Sequence, residues 1–360
     1  MIDIKSEAGI PVAPSLDFTP EPPTAEPKAG PLDGRTIMLS LVGIGIAAAA
    51  TVIARLLTAL IGIVTNASFY GRFSTDFSSP AQNRLGLWVI LVPALGGLIV
   101  GLMARYGSKA IRGHGIPEAM EQVLTNGSRI RPRIMFLKPL SAAVAIGTGG
   151  PFGAEGPIIA TGGALGSVVG QFLHTTGTER KILLSAGAAA GMTAIFGSPV
   201  AAVLLAIELL LFEFNARSVI PVAIACISAA LFRIATVGAA PVFAMPHVAQ
   251  APPLALLFYV LLGFAIGLCA VGVTRIVYAV EDAFERLPIH FMWWPAIGGL
   301  AVGLIGYFSP RTLGVGYNNI TDTLGGQLTG ETLLLLVVLK FISWAISLGS
   351  GTSGGTLAPL

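Results

Sequence analysis

One carboxylate, Glu155, stands inside the apolar stretch GGPFGAEGPIIATGGALG (149–166), boxed in by glycines and prolines. It belongs to one of three pentapeptides of the form G-x-x-x-P: GHGIP (113–117), GAEGP (153–157) and GTLAP (355–359). Proline suits the first helical position, where its missing N–H costs nothing. Glycine ahead of it lets the chain bend sharply. Each pentapeptide therefore predicts a helix N-terminus, with free N–H groups and the positive dipole end pointing outward. An anion is the natural ligand of such a terminus. Three such tips converging inside a membrane would hold an anion without a full Lys or Arg charge, loosely enough to release it. Glu155 is itself an anion at one tip. It could occupy the place of a passing ion and loosen on protonation, acting as a gate. The other reading is a static carboxylate of the kind that helix starts favour. An ionisable group within a membrane points to function.

The elements that would position these tips are membrane helices. The chain has 360 residues, 54% hydrophobic and 11% charged, with mean hydropathy +0.81. Soluble domains carry about 25% charged residues, so lipid is the fitting solvent. Ten apolar segments recur: Thr36–Val64, Leu85–Ala104, Ile134–Phe152, Gly156–Leu173, Lys181–Ser198, Pro199–Glu213, Arg217–Val237, Leu254–Ala279, Phe291–Phe308 and Thr332–Ser350. The first must tilt or protrude from a ~30 Å hydrocarbon core. Gly156–Leu173 and Pro199–Glu213 are short and suit re-entrant or half-crossing helices buried in protein. Residues 1–35 are proline-rich, lack the pattern of a cleaved signal, and read as a disordered cytoplasmic tail.

An internal repeat organises the rest. PALGGLIVGL from Pro93 matches PAIGGLAVGL from Pro295 at eight of ten positions, an offset of 202 residues. The same offset aligns Leu137-Lys138 with Leu339-Lys340, and GAEGP with GTLAP. The domains expected are a first transmembrane repeat over 36–237 and an incomplete second one over 254–360, which stops just after its own Pro359. The loop Tyr106–Lys138 holds six Lys or Arg, whereas Phe308–Lys340 holds Arg311 and Lys340. Positive charge marks the cytoplasmic side. The two loops then face opposite sides, the repeats are inverted around a midplane site, and the N-terminus is cytoplasmic.

The three motifs, in this order and spacing, together with GAAAGMTAIFGSPVAAVLLAIEL from Gly187, resemble the CLC family of chloride channels and proton/chloride exchangers. The resemblance implies an all-α polytopic fold of inverted repeats, with broken and re-entrant helices meeting at a midplane anion site. It implies a homodimer with one pore per subunit. It assigns the gate to Glu155 and anion-binding amides to Ala154, Gly156, Thr356 and Leu357, with Gly115 and Ile116 beside the first motif's ligand position. His114 stands there where the family usually has Ser; it either donates to the ion or bonds a local carbonyl. Ala154 replaces a common Arg or Lys, and Leu357 the usual Phe. The family's exchangers often carry a proton-transfer Glu directly after another Glu. Here Glu208 is followed by Leu209, so Glu208 is either a proton-pathway residue or a paired carboxylate within a helix. The family's pore tyrosine near the C-terminus has no assignable counterpart.

The function expected is transmembrane chloride transport along a glutamate-gated pathway, channel-like or proton-coupled. The alternatives are a strict proton/chloride antiporter and a relative tuned to fluoride, nitrate or another anion. The partners are the anion, protons and a bilayer, with the bacterial inner membrane or plasma membrane as the expected location. An enzyme using Glu155 as a general base lacks a partner nucleophile or metal cluster. No cofactor, metal or nucleic acid is expected. His174, His247 and His290 form no cluster, Cys226 and Cys269 have no metal-ligand spacing and read as packing residues, and GTGGPFG lacks the glycine pattern of a dinucleotide loop. Lys138 is either a pore-side base or a loop charge. Glu118 is expected to stabilise a helix start. Gly162, Gly166 and Gly170 are expected to pack helices closely.

Overall fold

A computed structural model describes residues 33–245 and 252–359. The expected N-terminal tail, up to residue 32, and His247 lie outside the described residues. Among the described residues there are twelve α-helices and no β-strand, with two isolated backbone bridges. The helices are α1 Gly34–Tyr70, α2 Leu91–Tyr106, α3 Ile116–Thr125, α4 Ile134–Gly147, α5 Glu155–Phe172, α6 Gly177–Phe196, α7 Pro199–Ala206, α8 Ala216–Val237, α9 Pro253–Glu285, α10 Trp294–Phe308, α11 Tyr317–Leu324 and α12 Gly330–Gly349. A π-helical turn, Ile207–Leu211, continues α7.

Among the described residues, six stretches are long and apolar enough to cross a membrane: Gly34–Tyr70, Gly86–Tyr106, Ala216–Val237, Pro253–Glu285, Phe291–Phe308 and Gly330–Gly349. The protein is an all-α, multi-pass integral membrane protein. The end points follow local chemistry. Asp33 caps α1 by accepting from the Thr36 N–H at 2.8 Å. That bond, with another from the Thr36 hydroxyl, holds the Asp33 carboxyl below its usual range. At the start of α6, Thr176 and Glu179 bond each other's backbone N–H at 3.3 and 3.0 Å, a capping box. The helix therefore begins before the apolar run at Lys181. α4 stops at Gly147, short of the expected Phe152, because Gly149 adopts φ +103° and turns the chain.

Glycine decides the helix contacts. α5 lies along α6, where an added Cβ at Gly162 would overlap the Gly187 carbonyl and one at Gly166 the Leu183 carbonyl. This is the close approach expected of these glycines. α2 lies along α10 in the same way, and the contact is reciprocal. Gly97 faces the Pro295 carbonyl and Gly299 faces the Pro93 carbonyl. The two matching decapeptides thus pack against each other. Elements also recur at nearly the repeat spacing: α2, α3 and α4 are followed in the same order by α10, α11 and α12.

Cys226 is buried in the core beside Ala225 and Ala229, as a packing residue would be. Cys269 departs from that expectation, since it sits on the exposed flank of α9. The whole apolar window of α9 is uncovered within the described chain.

Candidate anion site at the meeting of three helix tips

The three G-x-x-x-P segments come together through backbone. Gly153 and Gly355 exchange hydrogen bonds, N–H to O=C, at 3.0 and 2.8 Å. Gly113 bridges to Ser353, and the Gly354 N–H donates to the Gly113 carbonyl at 3.4 Å. The first and second motifs cross where neither has a side chain. A Cβ on Gly156 would overlap the His114 carbonyl and come within 2.9 Å of Gly355 Cα, and a Cβ on Gly115 would overlap the Gly156 carbonyl. Gly115 also sits at φ +96°, a conformation that favours glycine. Two tips are helix starts as expected, α3 from Ile116 within GHGIP and α5 from Glu155 within GAEGP. At the third, Thr356–Pro359 forms a bend and turn, and the described residues end at Pro359.

Glu155 lies at the centre of this meeting, fully buried. Its Oε1 accepts from the Ala358 N–H at 2.9 Å. The backbone N–H of Leu357 and its own N–H also face the carboxylate. Oε2 is buried and has no hydrogen-bond partner. Gly153 and Gly355 leave the room: a Cβ on Gly153 would overlap the carboxylate, and one on Gly355 would come within 2.8 Å of it. A backbone donor set from two chain segments therefore surrounds one negative group, the chemistry of an anion site without a cation.

The residues assigned by resemblance separate into those gathered here and those not. Ala154, Glu155 and Gly156 are contiguous and buried. Leu357 brings its amide while its side chain is exposed, and Thr356 is half-buried beside it. Gly115 and Ile116 join through the Gly115–Gly156 crossing. His114 places its carbonyl against Gly156, and its Nδ1 is buried without a partner. Glu208 is not gathered here. It is exposed on the π-helical turn after α7, which packs against α3 and α6.

Three features were missed or left open by the sequence. The amide that holds Glu155 is that of Ala358, one residue beyond the assigned pair. Lys138 is no loop charge: it is buried, and its Nζ donates to the carbonyls of Ile111, Arg112 and Gly113 at 2.9, 3.3 and 2.9 Å. Lys340 does the same one repeat later, to Thr312 and Gly314 at 2.9 and 2.6 Å. The matched Leu-Lys pairs carried that signal. Glu118 closes the α3 start as expected, its Oε2 accepting from the Gly115 N–H at 2.6 Å.

Known proteins resemble this chain in sequence and in fold. A ClcB-like protein of Ralstonia nicotianae is 28% identical over 274 residues, covering 75% of this chain and 64% of that protein. The chloride channel protein CLC-e of Arabidopsis thaliana is 29% identical over 290 residues, 76% of this chain and 40% of the plant protein. The H(+)/Cl(-) exchange transporter ClcA of Salmonella paratyphi B is 30% identical over 295 residues, 78% of this chain and 61% of that protein. The chain thus spans less than two thirds of the length of each of these relatives. The fold is similar to that of a slow cyanobacterial Cl-/H+ antiporter, with TM-score 0.77 and 22% identity over 91% of this chain and 76% of that one. It is also similar to a CLC-type fluoride/proton antiporter, with TM-score 0.72 and 20% identity over 90% and 78%. Residues 95–360 match the voltage gated chloride channel family, and the chain belongs to that family.

Proposed function

We propose that this protein moves chloride-like anions across a bilayer along a pathway gated by Glu155. One observation carries the reading: a buried carboxylate accepts from the Ala358 amide where three glycine-proline segments meet. Such a donor set suits any monovalent anion of modest size, and the carboxylate stands where that anion would bind. Protonation removes its charge and weakens its hold on the amides, so a chloride ion takes over the N–H groups. Lowering pH therefore opens the pathway. The names of the relatives fit both a channel and a proton/chloride exchanger. Leu209, in place of a second carboxylate after Glu208, favours channel-like flux or another proton route. A strict antiporter is the alternative.

The unpartnered Nδ1 of His114 favours a second reading, in which this side chain tunes the site toward fluoride, nitrate or another anion. The repeats are proposed to be inverted, with the Tyr106–Lys138 loop and the N-terminus cytoplasmic, in a bacterial inner or plasma membrane. A homodimer with a pore in each subunit is proposed on the resemblance. Chloride and proton fluxes measured together in liposomes test the gate. Glu155→Gln should transport chloride without pH dependence and without coupled protons. Wild-type pH dependence in that variant removes the gate assignment.

A further inference from the structure

Tyr317, the first residue of α11, has no part in the site described so far. Its ring stacks on Phe77 with centroids 5.7 Å apart and meets Phe243 edge-on at 5.7 Å. It packs against the cluster that contains Phe152 and Ala154. These contacts aim the ring inward from the α11 tip. Its hydroxyl oxygen is buried and has no hydrogen-bond partner. The polar groups that it faces are the Ala154 backbone N–H and the Glu155 carboxylate. Glu155 Oε2 is unpartnered as well.

The loop that presents this tyrosine is fixed. Lys340 holds the carbonyls of Thr312 and Gly314 just ahead of it, and Gly316 turns the chain into α11 at φ +87°. Packing alone needs only the ring, which phenylalanine would supply. A buried phenol is costly when unpaired. Here it brings a neutral O–H donor beside a backbone N–H donor, next to the carboxylate already read as the occupant of an anion site. Neutral donors beside an anion site attract an anion and still release it.

We infer that Tyr317 is an anion-binding residue, whose hydroxyl donates to the transported anion beside the Ala154 amide. The inference rests on the reading of Glu155 as occupying an anion site. The occupant is a small monovalent anion, with chloride as the probe.

The test compares wild type, Tyr317→Phe, Glu155→Ala and the double variant of the full chain, by titration calorimetry with chloride and by chloride flux in liposomes. Tyr317→Phe should weaken chloride binding about tenfold, the size of a lost hydrogen bond to a charged group. The same factor should appear in the Glu155→Ala background. Unchanged binding in both backgrounds overturns the inference. So does an effect confined to proteins that retain Glu155, because the hydroxyl then serves the carboxylate and not the ion. If Glu155→Ala alone changes neither binding nor flux, the gate reading fails, while the tyrosine pair still reports on Tyr317. Melting temperatures with and without chloride separate a structural role. That role lowers both temperatures and leaves the chloride-induced shift intact, which also counts against the inference.

Discussion

Glycine sets the geometry of the site as strictly as the carboxylate sets its chemistry. At Gly156 an added Cβ would strike the His114 carbonyl, which is backbone and cannot step aside. Gly156→Ala should therefore lower the melting temperature in detergent and abolish flux, at a cost of about 1–3 kcal/mol or more for overpacking. Gly163, further along α5, is the control. Its Cβ would meet Leu184 at 3.5 Å and Ala188 at 3.7 Å, ordinary contacts. Gly163→Ala should leave flux unchanged and stabilise the helix by up to about 1 kcal/mol. Equal effects at the two positions would mean that the tips do not cross as described. Glu155 was legible in the sequence because a lone carboxylate in an apolar tract has few explanations. Ala358 and Tyr317 were not. Their atoms reach Glu155 only after 203 and 162 residues of chain fold back, and although Ala358 lies within GTLAP, no residue type there singles out its amide.

At the scale of elements, two buried lysines tie loops to helices. Lys138 on α4 gathers three carbonyls ahead of α3, and Lys340 on α12 gathers two ahead of α11. Each fixes the loop whose last residues carry a site group, His114 in one case and Tyr317 in the other. Lys138→Met keeps most of the stem but leaves buried carbonyls unpaired, a loss of about 1–3 kcal/mol for an unsatisfied group. Backbone hydrogen exchange should rise around Ile111–Gly115 in that variant, and around Thr312–Gly316 in Lys340→Met. Exchange unchanged in those loops would show that the lysines do not hold them. The repeat made these elements readable. The aligned Leu-Lys pairs flagged both lysines, and the aligned decapeptides marked α2 and α10 as counterparts. The direction of the lysine bonds stayed hidden, since a basic residue beside a loop reads equally as a solvated charge.

At the scale of the whole molecule, hydropathy and duplication sufficed for the fold class, whereas the sides of the membrane rest on charge alone. Lys138 and Lys340 are buried, so neither belongs in that count; five basic residues then remain in the first loop, and Arg311 in the second. With Cys226 and Cys269 replaced by serine, single cysteines at the exposed positions Arg133 and Gln327 should react with an impermeant thiol reagent from opposite faces. Labelling from one face would reject the inverted arrangement. The three tips come from widely separated parts of the chain, so the anion position exists only in the folded whole. Diffraction from Glu155→Gln crystals grown in bromide tests it most directly. An anomalous peak within hydrogen-bonding reach of the Ala358 N–H is the expected result. Well-ordered tips with bromide bound elsewhere, and none at that amide, would contradict the account.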